Sequence, residues 1–265
     1  MSRQRGFALL IVLWTIVLLA LLVAQFTTTG RTEVQVAANL RANAVTEAAA
    51  DGAVYQAIMR LVQGTWVPDP RLRVVRVGDA AVEVRITNQS RKVNPNTAPV
   101  PVIQALLGNV GVDAGKAAAL ARAIVDWRTN STKSLSGGTK LSEYQAAGLP
   151  YGPGNQLFDS VDEIGLVVGM TPAVLARTKP FLSIYREGDP PAPNEIPATL
   201  AEVSATTGDP WYFGSTGRVM VVMIDATAVG AKGGRFTRQA VVRLRAEASL
   251  DQAPYQLLTW GTPSE

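Results

Sequence analysis

Two residue types are missing altogether from this 265-residue chain, cysteine and histidine. Without cysteine there is no disulfide framework and no thiol chemistry. Without histidine there is no imidazole base, no Ser-His-Asp triad and almost no route to a zinc site. A serine–lysine nucleophile or a carboxylate pair stays formally open, and no enzymatic activity is expected. Charge is sparse as well. Charged residues make up 17% of the chain, and the net charge is +4. Arg3 and Arg5 near the start supply two of those charges, so the remainder is too weakly basic to argue for nucleic acid. Proline is absent until Pro68.

What the chain does have is one long charge-free apolar run. Residues 7–26 read FALLIVLWTIVLLALLVAQF, with Thr15 and Gln25 the clearly polar members and no Gly or Pro inside. Twenty helical residues rise about 30 Å, enough to cross the hydrocarbon core of a bilayer. The run is too long for the apolar part of a cleaved secretory signal, and no small-x-small site follows it. A plain single-pass anchor is one reading; the positive-inside rule then keeps Arg3 and Arg5 cytoplasmic and sends the rest outward. Roughly 235 residues remain after the run, enough for one large domain or two small ones.

The pattern turns amphipathic after Gln25. Val34, Ala37, Leu40, Ala44, Ala48, Tyr55, Ile58 and Val62 recur at helical spacings, and Gly64 offers a C-cap. One helix from Phe7 to about Gln63 would be roughly 85 Å long. Alternation over 72–86, broken at Gly78-Asp79, predicts a β-hairpin. Helical patches follow at 102–108, 114–128 and 141–147. Ser160-Val161-Asp162-Glu163 reads as a capping box and Thr171-Pro172 as an N-cap with Pro at N1, starting helices over 161–168 and 172–185. A proline-rich connector over 186–197 and a short helix over 198–204 lead back to strands over 218–225, 237–247 and 255–260. In the second of these strands Ala240, Val242 and Leu244 share one face. Arg71, Arg73 and Arg76 read as an exposed strand face, and Trp127, Trp211 and Trp260 as core or partner-contact aromatics.

Arg5-Gly6-Phe7-Ala8-Leu9-Leu10 followed by the apolar run resembles the type IV pilin signal shared by pilins and type II secretion pseudopilins. That resemblance implies peptidase cleavage between Gly6 and Phe7 and N-methylation of Phe7. Most of that superfamily carries Glu at the fifth mature position, which is Ile11 here. A charge at that depth is costly unless paired, and a subunit without it suits the first, tip position of a fibre. Four strings sharpen the likeness: Gly6–Leu10 with no following Glu, Val93-Asn94-Pro95-Asn96-Thr97-Ala98, Ala123-Ile124-Val125-Asp126-Trp127-Arg128, and Ser160-Val161-Asp162-Glu163-Ile164 through Gly169-Met170. Together they resemble the large minor pseudopilin of type II secretion, the general secretion pathway protein K family.

The resemblance implies an α+β fold: a pilin-like long N-terminal helix on an antiparallel sheet, with an inserted α-helical subdomain. Its parts would be a leader (1–6), the transmembrane and periplasmic parts of the helix (7–26 and 27–66), two portions of a pilin-like β-domain (67–90 and 187–265) and the insert (91–186). It implies an inner-membrane protein with a cytoplasmic N-terminus and a periplasmic head, a structural role at the pseudopilus tip, priming of assembly and support of protein export. The implied partners are other minor pseudopilins, the major pseudopilin and the prepilin peptidase, with no nucleic acid. Relatives can bind calcium in the insert. Here the string after Asp126 runs into Thr129-Asn130-Ser131-Thr132-Lys133 and lacks the carboxylates that calcium prefers. Asp126, Glu143, Asp159 and Asp162 remain as candidate ligands, with helix capping and solvation as the alternative for each. A minor pilin or DNA-uptake pseudopilin, gripping phosphates through a helix-hairpin-helix at 161–185, and a ligand-binding periplasmic domain on a plain anchor stay open as other readings.

Overall fold

A single helix, α1 (Arg3–Val62), carries the rest of the molecule on its C-terminal half. The computed structural model describes residues 3–69, 71–185, 219–230, 233–245 and 253–263, with the side chains of 3–6, 8–9 and 22–32 outside the description. The expected connector, the short helix over 198–204 and Trp211 therefore lie outside the described residues. At 60 residues α1 extends about 90 Å. It ends where expected. Gly64 adopts φ 68°, and the Gly64 and Thr65 amides donate to the Leu61 and Arg60 carbonyls at 3.0 and 2.9 Å, so the last turn is closed by backbone bonds.

Five antiparallel strands follow one another in space as in the chain: β1 (Arg73–Val77), β2 (Ala80–Asn88), β3 (Val219–Val229), β4 (Arg235–Arg245) and β5 (Tyr255–Gly261). Val77 pairs with Ala80 across the predicted turn, where Gly78 takes φ 56°. Long-range register is set by Val84↔Ala226 and Ile224↔Ala240, and a bulge at Val241/Val242 shifts the last pairing.

The face of α1 that packs on this sheet coincides with the expected stripe only in part, at Ile58 and Val62. Val34, Leu40 and Tyr55 stand exposed, whereas Ala49, Ala50, Ala53, Val54, Ala57, Ile58 and Leu61 are buried against Val82, Val84, Ile224 and Val242. The alanine-rich stripe wins because small residues let the helix approach the strands closely. At Gly52 a Cβ would stand 2.9 Å from Val77 Cγ1. One charged residue lies within this interface. Arg238, on the inward face of β4, donates from Nε to Asp51 and from Nη2 to Glu47, both at 2.6 Å, and stacks over Phe236 and Trp260. Burial pulls the Arg238 pKa down, and the two carboxylates more than offset it.

Between β2 and β3 the chain builds a second core. It comprises α2 (Val100–Asn109), α3 (Ala114–Arg128), α4 (Lys140–Ala146), α5 (Pro172–Thr178) and 3₁₀ turns at Asp162–Leu166 and Lys179–Phe181. Leu106, Leu107, Leu120, Ile124, Trp127, Phe158 and Ile164 fill it. The last two expected helices are shorter than their pattern suggests. The first is a five-residue 3₁₀ turn containing Gly165, and Pro180 interrupts the second. The ends of this segment meet in a parallel bridge, with the Val93 amide donating to Phe181 O at 2.9 Å and the Ser183 amide to Val93 O at 3.0 Å. The segment sits on the outer face of the sheet, where the Val221 amide donates to Ser90 Oγ at 2.7 Å, so Val221 and Val241 are buried on that side as well.

Candidate functional site

The described side chains in the N-terminal half of α1, Phe7 and those from Leu10 to Leu21, stand open to the surroundings. Phe7, Ile11, Trp14 and Leu19 are each at least 50% exposed, and so are the other large apolar residues from Leu10 to Leu21. A contiguous apolar surface of this kind exceeds what a soluble monomer leaves open and marks a membrane- or partner-facing segment. Thr15 hides its hydroxyl by donating back to Ile11 O and Val12 O, at 3.0 and 2.8 Å. Among the described residues, no helix is long and apolar enough to cross a membrane; the described side chains of the run stop at Leu21. Gly6 and Phe7 both lie within α1, and Ile11 is one turn beyond Phe7 on the open surface. Further along, Val34, Val36, Leu40 and Val45 extend that surface toward the head.

Three of the four strings that carry the family resemblance, those over 93–98, 123–128 and 160–170, converge on one place. The Arg128 guanidinium donates to the carbonyls of Pro95 and Ala98, the latter at 2.8 Å. Asn96 treats Phe158 as a strand would, accepting from its amide at 2.8 Å and donating to its carbonyl at 3.0 Å. Trp127 stacks on Phe158 at 5.9 Å and donates to Glu163 at 3.2 Å. The capping box closes in altered form. Ser160 Oγ accepts the Glu163 amide at 3.2 Å, while Glu163 accepts from the Asp159 amide at 2.8 Å instead of reaching the Ser160 amide. Thr171 caps α5 as expected, accepting from the Val174 amide at 3.3 Å. These contacts hold the second core together.

The four acidic candidates do not gather at one point; only Asp126 and Glu143 come together. Among the described residues there is no group of three or more side chains suited to a metal. Asp126 and Glu143 approach the same hydroxyl, Ser134 Oγ, at 2.9 and 2.5 Å, and Asp126 also accepts the Leu135 amide at 2.9 Å. Asp162 is paired with Lys179 at 2.5 Å. Asp159 is exposed on the loop before the Asp162–Leu166 turn. The pieces of the expected helix-hairpin-helix are a 3₁₀ turn and a seven-residue helix, with Lys179 already engaged by Asp162. Arg73 departs from a purely exposed strand face, since it bonds Asp69 at 2.8 Å and lies over Trp66.

A family model described as type II secretion system, protein K matches residues 79–187, which take in β2 and the second core. Among solved structures, the chain is similar to one from the crystal structure of the GspK-GspI-GspJ complex of the enterotoxigenic Escherichia coli type 2 secretion system. The TM-score is 0.58 at 15% identity, covering 89% of this chain and 100% of the other. At that identity the likeness is one of fold. No curated protein matches the chain significantly.

Proposed function

We propose that this chain, whose residues 79–187 match the type II secretion system protein K family, is a member of that family that stands at the tip of the pseudopilus, primes its assembly and supports protein export. The family is one of structural minor pseudopilins, and the role proposed here is assembly without catalysis. The carrying observation is the division of α1. Its C-terminal half packs into the head, while the described residues of its N-terminal half, Phe7 and Leu10–Leu21, present an open apolar surface with no partner among the described residues. A helix of that kind resides in the inner membrane before assembly, with the head in the periplasm, and packs against other such helices afterwards. In this reading residues 1–6 are a leader, the peptidase cuts between Gly6 and Phe7, and Phe7 is N-methylated. Residues 91–186 form a helical subdomain inserted in the pilin-like head.

Ile11 in place of the usual Glu leaves this subunit unable to neutralise a neighbour's amine, which fits a position with no subunit ahead of it. Its partners are then other minor pseudopilins, by analogy with the complex of GspK with GspI and GspJ. Two measurements test this. Mass spectrometry of the membrane-extracted protein is expected to find N-methyl-Phe7 at its terminus; an intact Met1 or Ser2 terminus refutes the processing. Pull-down of the full chain with the minor pseudopilins of its own system is expected to recover a complex. Failure to recover one removes the tip assignment.

A further inference from the structure

Lys140 has one of the largest fully buried side chains among the described residues, at 2% exposure, and no carboxylate bonds its ammonium. Instead Nζ donates to three oxygens: the carbonyls of Asp126 and Thr129, the latter at 2.5 Å, and Asn155 Oδ1 at 3.3 Å. An ammonium has three donors, so all are used. Two of the acceptors lie at the C-terminal end of α3, where unsatisfied carbonyls favour a cation. The third comes from Asn155, the non-glycine residue among those described that holds a positive φ, at 51°. A side chain kept in that sparsely populated conformation is aimed by its surroundings.

We infer that the Lys140 ammonium is the built-in structural cation of the loop between α3 and α4, and that the fold of this segment requires no divalent metal. The family precedent is calcium, which takes six to eight oxygens and favours carboxylates. Here the oxygens gathered at the end of α3, two carbonyls and the Asn155 amide oxygen, are held by Nζ. The Asp126 carboxylate, the nearest anionic ligand, is committed to the Leu135 amide and Ser134. The loop between them is closed by its own backbone, with Lys133 bridged to Thr139 and the Lys140 amide donating to Thr132 O at 3.1 Å. The loop itself, Thr129-Asn130-Ser131-Thr132-Lys133, carries no carboxylate, and Lys140 brings positive charge to it from within the chain. Burial holds the Lys140 pKa down and the Asp126 carboxylate opposes that shift, so the partnership with Asp126 is electrostatic as well as through its carbonyl.

The test uses the full chain in detergent. Thermal unfolding, followed by Trp fluorescence, is recorded with chelator and with millimolar calcium. The expected result is an unchanged Tm. A site filled by calcium at a hundredfold its Kd would instead raise Tm by roughly 5–10 °C, and such a rise overturns the inference. In parallel, Lys140→Met keeps the length of the side chain and removes its charge. Hydrogen exchange at the Leu135 and Lys140-position amides is expected to accelerate at least tenfold, and unchanged exchange there also overturns it. If the variant does not fold, the chelator comparison on the unaltered chain still decides.

Discussion

Replacing Arg238 by leucine should loosen the long helix from its head. The guanidinium is 11% exposed and bonds Asp51 and Glu47 at 2.6 Å each. The Asp51 side chain is 31% exposed and the Glu47 side chain 49%, so the two bonds differ in weight. A charged hydrogen bond to a largely sheltered carboxylate contributes about 1.5–3 kcal/mol. The half-exposed Glu47 regains water when released, and its share is about 0.2–1 kcal/mol. Leucine retains apolar contact with Phe236 and Trp260 but loses the cation over their rings, worth roughly 0.5–1 kcal/mol at such a site. The loss is thus about 2–5 kcal/mol, which for a folded unit of this size lowers Tm by roughly 5–20 °C. Circular dichroism melting of the full chain in detergent measures it, and a double-mutant cycle with Asp51→Asn isolates the pair. A loss below about 0.5 kcal/mol, the range of an ordinary surface change, would refute the reasoning.

Three further outcomes are expected. Gly52→Leu places side-chain atoms where Val77 Cγ1 already stands 2.9 Å from a Cβ position. It should cost about 1–3 kcal/mol in denaturant unfolding, with native-like stability counting against the close approach. Lys92 is held down to about 8 by burial, with the Asp225 carboxylate opposing. The unfolded chain therefore binds more protons than the folded one between pH 8 and pH 10. Stability should rise with pH across that window, and Lys92→Met should flatten the slope; a slope of the same size in the variant rejects the assignment. Ile11→Glu should change pseudopilus number or length in secretion-competent cells, and an unaltered assembly would weaken the tip placement.

How far the sequence speaks depends on whether a residue's role is local. The β1–β2 hairpin was legible because Gly78 and the alternation around it specify turn and register within a few residues. The C-terminal end of α1 and the start of α5 were legible for the same reason, through Gly64 and Thr171. The packed face of α1 was legible only at Ile58 and Val62, because the alanines that make most of it carry little hydrophobic signal while Val34 and Leu40 stand exposed. Arg238 shares the parity of Ala240, Val242 and Leu244, so the pattern had placed it inward; its charge concealed that. Lys140 could not be read at all. Its three oxygens come from residues 126, 129 and 155, and only folding brings them together.

The parallel bridge between Val93 and Leu182 has a consequence for how such a molecule could diversify. Because the two ends of the helical segment are stitched side by side, it leaves and returns at one place, while its inner side covers Val221 and Val241 of the sheet. Material far from both the neck and that covered face can lengthen, shrink or exchange its contents without moving the register of β2 against β3. The head is in effect a socket holding a fitting with its own base, and change in the outer part of the fitting leaves the seat of the long rod untouched.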